Sequence, residues 1–130
     1  MPLAITGLYA SLLALVFFAL TIGVVKQRRA NSISLGDGTV EDLQKAIRAH
    51  GNFIEYVPIC LILLAIAELN TNLAGLLHFA GAVLLAGRIL HAYGIVKSTG
   101  ASKPRIYGMV CTFVVMLVLS LWNLFSIIFW

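Results

Sequence analysis

The chain has 130 residues, 61% hydrophobic and only 11% charged, with nine Lys or Arg against five Asp or Glu. Soluble domains average about 45–50% apolar and about 25% charged residues. A water-soluble globule and a disordered segment are therefore excluded, and so is a disulfide-stapled secreted scaffold, because Cys60 and Cys111 both sit inside apolar runs.

Residues 1–25 and 106–130 carry no charge at all, Leu69–Gly87 is a third charge-free stretch and Tyr56–Ala67 a shorter fourth. A membrane span needs about 20 predominantly apolar residues. These stretches predict spans at about 3–25, 43–68, 72–96 and 105–128 in one domain covering 1–130. The expected fold is all-α, an integral membrane four-helix bundle protomer. The first span lacks a basic leader and is too long for a signal peptide. The segment 26–42 is the only long polar connection. Its Gly36-Asp37-Gly38 predicts a turn, and Thr39 with Asp42 predicts a capping box opening the second helix. Asn70-Thr71-Asn72 is a link short enough to force an antiparallel hairpin. Pro104 suits the first turn of the fourth helix.

Lys26, Arg28, Arg29 and Lys45 flank the first loop, and Lys97, Lys103 and Arg105 the third. The positive-inside rule then places loops 26–42 and 97–105 in the cytoplasm and both termini on the opposite side. That orientation accounts for the net positive charge, so no nucleic-acid partner is expected. Trp122 and Trp130 are expected as interface anchors at the far end of the fourth span.

Arg48, Glu55 and Arg88 interrupt otherwise apolar helices. Each costs at least about 2.5–3.5 kcal/mol near the bilayer centre, and arginine cannot escape by losing its proton. Arg48, Asn52 and Glu55 fall at i, i+4 and i+7, one stripe of the second helix; Arg88 and His91, at i and i+3, share a face of the third. Two readings follow. The charges form a structural network that sets helix register, with Glu55 pairing Arg48 or Arg88. Alternatively, the surplus positive charge receives an anionic ligand, for which the guanidinium fork is suited. Pro58 removes a hydrogen bond to the Ile54 carbonyl beside Glu55. His50, His78 and His91 lie without a supporting carboxylate or thiolate cluster, so no metal site is expected. His78 reads as a packed or interfacial side chain, Glu68, Asn70 and Asn72 as a solvated helix end. Ala80-Gly81 and Ala86-Gly87 read as close-packing positions.

The second helix reads Arg48-Ala49-His50-Gly51-Asn52-Phe53-Ile54-Glu55-Tyr56-Val57-Pro58. This resembles the R-A-x-x-N-x-x-E-x-x-P signature of the MAPEG family, the membrane-associated proteins of eicosanoid and glutathione metabolism. Arg28-Arg29 ending the first span and Gly87-Arg88-Ile89-Leu90-His91 on the third agree with it, and the resemblance covers essentially the whole chain. It implies a homotrimer of four-helix protomers with glutathione, the co-substrate, held between subunits. Arg48, Asn52, Glu55 and Tyr56 would line that pocket on one protomer. Glu55 would take the ammonium, and Arg48 and Arg88 would take carboxylate or neighbouring backbone. His91 stands where members place Tyr or His, and Arg28 and His50 would reach across from the adjacent subunit. Arg105 stands for the arginine that stabilises the thiolate, at a helix start that favours negative charge.

The resemblance implies a membrane-bound glutathione transferase, with peroxidase activity as an addition. Its second substrate would be a lipophilic electrophile or lipid hydroperoxide entering from the bilayer. Ile95 replaces a tyrosine found in some members, with Tyr93 nearby, and Ile106 lacks the hydroxyl of prostaglandin-E synthase, which argues against prostaglandin isomerisation. Two other functions share these residues: a non-enzymatic lipid-binding scaffold of the same family, and a small proton-coupled exporter using Glu55 as its carrier.

Overall fold

A computed structural model describes residues 2–129. Four helices account for nearly all of it: α1 (Ala4–Asn31), α2 (Glu41–Asn70), α3 (Ala74–Lys97) and α4 (Lys103–Phe129). All four are long and apolar enough to cross a membrane, and no strand occurs among the described residues. The chain is thus a multi-pass integral membrane protein. At 1.5 Å per residue the 30-residue α2 is about 45 Å long, longer than the roughly 30 Å hydrocarbon core. The helices therefore overrun the predicted spans at several ends.

The long connection is built by its own backbone and by Asp37. Gly36 and Gly38 adopt φ of 72° and 56°, and Ser32 closes α1 in the left-handed region at 54°. Arg28 Nη1 donates to the Gly36 carbonyl at 2.9 Å and holds the loop against the helix it leaves. The predicted capping box does not form. Thr39 takes a positive φ of 62°, its hydroxyl donates to the Gly38 carbonyl at 2.6 Å, and Val40 occupies the cap without a side-chain bond. Asp37 Oδ1 instead accepts the Thr39 N–H at 3.0 Å. Glu41 and Asp42 in the first turn complement the helix dipole.

Helices α2 and α3 each pack on all three of the others, whereas α1 and α4 make no such packing with each other among the described residues. The core joins Leu13 of α1 to Phe53, Val57, Cys60 and Leu64 of α2, Leu77 and Leu84 of α3, and Val115 and Leu119 of α4. Trp122 packs against this core; Trp130 lies outside the described residues. Cys60 is a fully buried apolar filler and unpaired, as Cys111 is.

The most extensive packing is α3 on α4, and glycine makes it close. A Cβ on Gly108 would collide with the Gly87 carbonyl and lie 2.5 Å from the His91 nitrogen. One on Gly94 would lie 2.5 Å from the Arg105 nitrogen. Gly87, His91 and Gly94 recur at i, i+4 and i+7, so they form a groove down α3 that seats the first turns of α4. Gly81 plays a similar part for the Tyr9 ring of α1.

At the other end of the bundle, Glu68 is more than a solvated helix end. The α1 terminus has no side-chain cap of its own. The Glu68 carboxylate supplies one from α2, accepting the Ile5 N–H at 2.8 Å and the Thr6 N–H at 2.7 Å. Tyr9 Oη lies 3.4 Å from His78 Nδ1 on α3 nearby.

Candidate functional site

Near the start of α4 a cleft of about 610 Å³ opens between α2, α3 and α4. Its polar wall is Arg48, Asn52, Tyr56, His91 and Arg105, and Met109, Val110 and Phe113 form an apolar wall. A smaller space lined by Glu41, Lys45, Arg48, Ser98 and Arg105, among others, continues it toward the loop end. Five of the residues predicted from sequence are thus brought together.

A chain of hydrogen bonds runs from this cleft into the bundle. Arg48 Nη1 donates to Glu55 Oε1 at 3.1 Å, and Asn52 Nδ2 donates to Glu55 Oε2 at 3.4 Å. The Asn52 amide oxygen accepts from Arg88 Nη2 at 2.6 Å, and Arg88 Nη1 donates to Thr112 Oγ1 at 3.4 Å. Arg88 is fully buried, whereas the Arg48 and Glu55 side chains are 57% and 47% exposed. Phe53 and Tyr56 place their rings 5.7 and 5.9 Å from the Arg88 guanidinium carbon, within range of cation–π attraction.

Glu55 thus pairs with Arg48 and reaches Arg88 only through Asn52. Arg88 sits behind the cleft, not in its wall, and holds Asn52 from within. Its partner Thr112 carried no signal in the sequence, since a threonine in an apolar helix is ordinary until its neighbour is known. Among the described residues no group of His, Cys, Asp or Glu is placed to hold a metal.

His91 is oriented by α4. Its Nδ1 lies 2.9 Å from the Arg105 carbonyl oxygen. Because a carbonyl only accepts, Nδ1 carries a proton, and in the neutral ring Nε2 then presents a lone pair. Nε2 is buried without a hydrogen-bond partner. Arg105 therefore contributes twice, its side chain to the cleft wall and its carbonyl to the ring.

Two predicted residues lie away from the cleft in the single protomer. Arg28 is engaged with the Gly36 carbonyl, and His50 stacks on Phe17 of α1 with centroids 4.7 Å apart. Two further cavities, of about 420 and 250 Å³, lie around Asn70–Asn72 and Ser126 and have no charged lining.

Comparison with known proteins agrees with this architecture. The model of the MAPEG family matches residues 6–125. The chain is 38% identical over 120 residues to the inner membrane protein YecN of Escherichia coli (strain K12), covering 92% of this chain and 90% of that protein. The same figures hold for YecN of Escherichia coli O6:H1.

Proposed function

The chain belongs to the MAPEG family, and on that premise we propose that it is a membrane-bound glutathione transferase working as a homotrimer. The observation that carries this reading is the cleft wall. Arg48 and Arg105 face one space with Asn52, Tyr56 and His91, whose Nε2 is buried without a partner, and no carboxylate lines it. Such a donor set fits a net anion bearing two carboxylates and a thiol: guanidinium groups grip carboxylate in two-point fashion. A cation near sulfur favours the thiolate, the reactive form. The apolar wall of Met109, Val110 and Phe113 suits a lipophilic electrophile arriving from the bilayer. Reduction of lipid hydroperoxides by the same thiolate is an additional activity of this reading.

Glutathione supplies the nucleophilic sulfur; the chain's own residues bind and orient it. Arg48 and Asn52 hold its polar ends, Glu55 offers a carboxylate to the ammonium, and Arg105 stands at the start of α4 as the fixed charge beside sulfur. Arg48 and Glu55 are half exposed on a helix that crosses the membrane, and charged groups there face protein or water. A neighbouring protomer covering this side satisfies them, bringing Arg28 and His50 of its own chain to the site. A location in a bacterial-type inner membrane, as for YecN, goes with this reading. The exporter reading is disfavoured because both Glu55 oxygens are engaged, by Arg48 and Asn52.

Calorimetric titration of glutathione into the detergent-solubilised protein tests the proposal, and absence of binding at millimolar concentration refutes it. Arg105→Ala separates enzyme from scaffold. Loss of conjugation with binding retained is expected of the enzyme; an unchanged rate removes Arg105 from the mechanism.

A further inference from the structure

We infer that His91 is the general base of this site, taking the thiol proton on Nε2 while Nδ1 stays tethered to the Arg105 carbonyl. The role rests on the glutathione reading above and specifies where the proton goes.

The lining of the cleft leaves few acceptors. Arg48 and Arg105 are permanent cations and cannot take a proton. Tyr56 is a phenol, a donor at neutral pH. Glu55 lies beside the wall and not in it, and its two oxygens accept from Arg48 and Asn52. His91 is the remaining titratable lining residue, and its tautomer is set correctly by the 2.9 Å contact to the Arg105 oxygen. Only 4% of the residue is exposed and its Nε2 has no partner. A buried acceptor left bare costs about 1–3 kcal/mol. A donor on the ligand removes that penalty, and a thiol is such a donor.

The surrounding charges make the transfer depend on the ligand. Arg88 stands three residues before His91 on the same helix, and Arg48 from α2 and Arg105 from α4 line the same cleft. Three guanidinium groups in this neighbourhood oppose a lone imidazolium. With sulfur present, transfer creates a positive ring and a negative sulfur together, and the arginines that oppose the first stabilise the second. In the step the S–H bond breaks and an Nε2–H bond forms, while the electron pair stays on sulfur. Sulfur then bonds to the electrophilic carbon. With a conjugated acceptor the displaced electron pair moves onto the substrate, which takes the proton back from Nε2. With a displaceable group, the pair and the proton depart with it.

Counting protons tests this without turnover. Glutathione is added to the intact protein in weakly buffered solution; thiolate is read by its ultraviolet absorbance and released protons by an indicator. His91 as acceptor predicts well under one proton released per thiolate formed. The variant His91→Gln should release one per thiolate and lower kcat/KM about 10²-fold or more. One proton per thiolate from the wild type overturns the role of His91 while leaving the transferase reading intact. Failure of glutathione to bind overturns both. The wild-type count needs no variant, so misfolding of His91→Gln leaves the test standing.

Discussion

Among the described residues, Asn52 holds the only short side-chain hydrogen bond to Arg88. The guanidinium carries five N–H donors; one reaches Asn52 at 2.6 Å and one reaches Thr112 at a long 3.4 Å, while Nε has no partner. Asn52→Ala leaves a fully buried cation with the Thr112 contact and two aromatic faces. Losing a hydrogen bond to a charged group costs about 1.5–3 kcal/mol. Because Arg88 is fully buried and the bond is its shortest, the upper end of that range is expected, about 3 kcal/mol. Replacing both polar groups, as Asn52→Leu with Arg88→Met, removes the unpaired charge and should recover most of that loss. Cys60 is fully buried, so its labelling by a maleimide, in a background lacking Cys111, reports unfolding within intact bilayers. A shift below about 0.5 kcal/mol for Asn52→Ala, the range of inert surface changes, would refute the assignment of Asn52 as the support of Arg88.

Two further changes probe the ends of the bundle. Glu68→Ala strips both N–H groups of the α1 terminus of their acceptor and should cost about 1–3 kcal/mol; hydrogen exchange in a peptide covering residues 2–9 should accelerate, with Glu68→Gln intermediate. Gly94→Ala would place a Cβ 2.5 Å from the Arg105 nitrogen and 2.8 Å from its Cβ. Overpacking of this kind costs about 1–3 kcal/mol, and conjugation should fall more than glutathione affinity because the start of α4 moves.

The spacing of Arg48, Asn52 and Glu55 was enough to read one polar stripe on α2, and charge-free runs were enough to read four helices. Which member of the stripe turns inward was not legible, since all three share the face. The answer lies on α3, where Arg88 reaches across to Asn52 and leaves Arg48 and Glu55 at the rim. That geometry depends in turn on Gly87, Gly94 and Gly108, whose missing side chains let α4 approach; sequence pattern marks small residues but not their opposite numbers. Glu68 was misread for a similar reason. Its partners, Ile5 and Thr6, lie 63 and 62 residues away, and they are backbone groups that leave no trace in composition.

The polar groups around the cleft divide into two sets by their place in the protomer. Asn52 and Thr112 are buried and bonded on the inner side, and they hold Arg88 there. On the outer side Arg48 and Glu55 are half exposed, and His91 keeps an acceptor without a donor. Water could satisfy the outer set in a soluble protein, but a lipid-facing position offers no such partner. Asn52 joins the two sets, lining the wall while its amide oxygen is bonded to Arg88 behind it; Arg48, His91 and Glu55 lie in the wall or at its edge. A protomer that had evolved only for stability would gain by removing the outer set, because buried or lipid-facing charge is replaceable by apolar packing at little cost or with gain. Arg48, Glu55 and His91 gather around one cleft, next to a helix start and an apolar wall, and the proposed glutathione site would use them with a ligand and a neighbouring subunit.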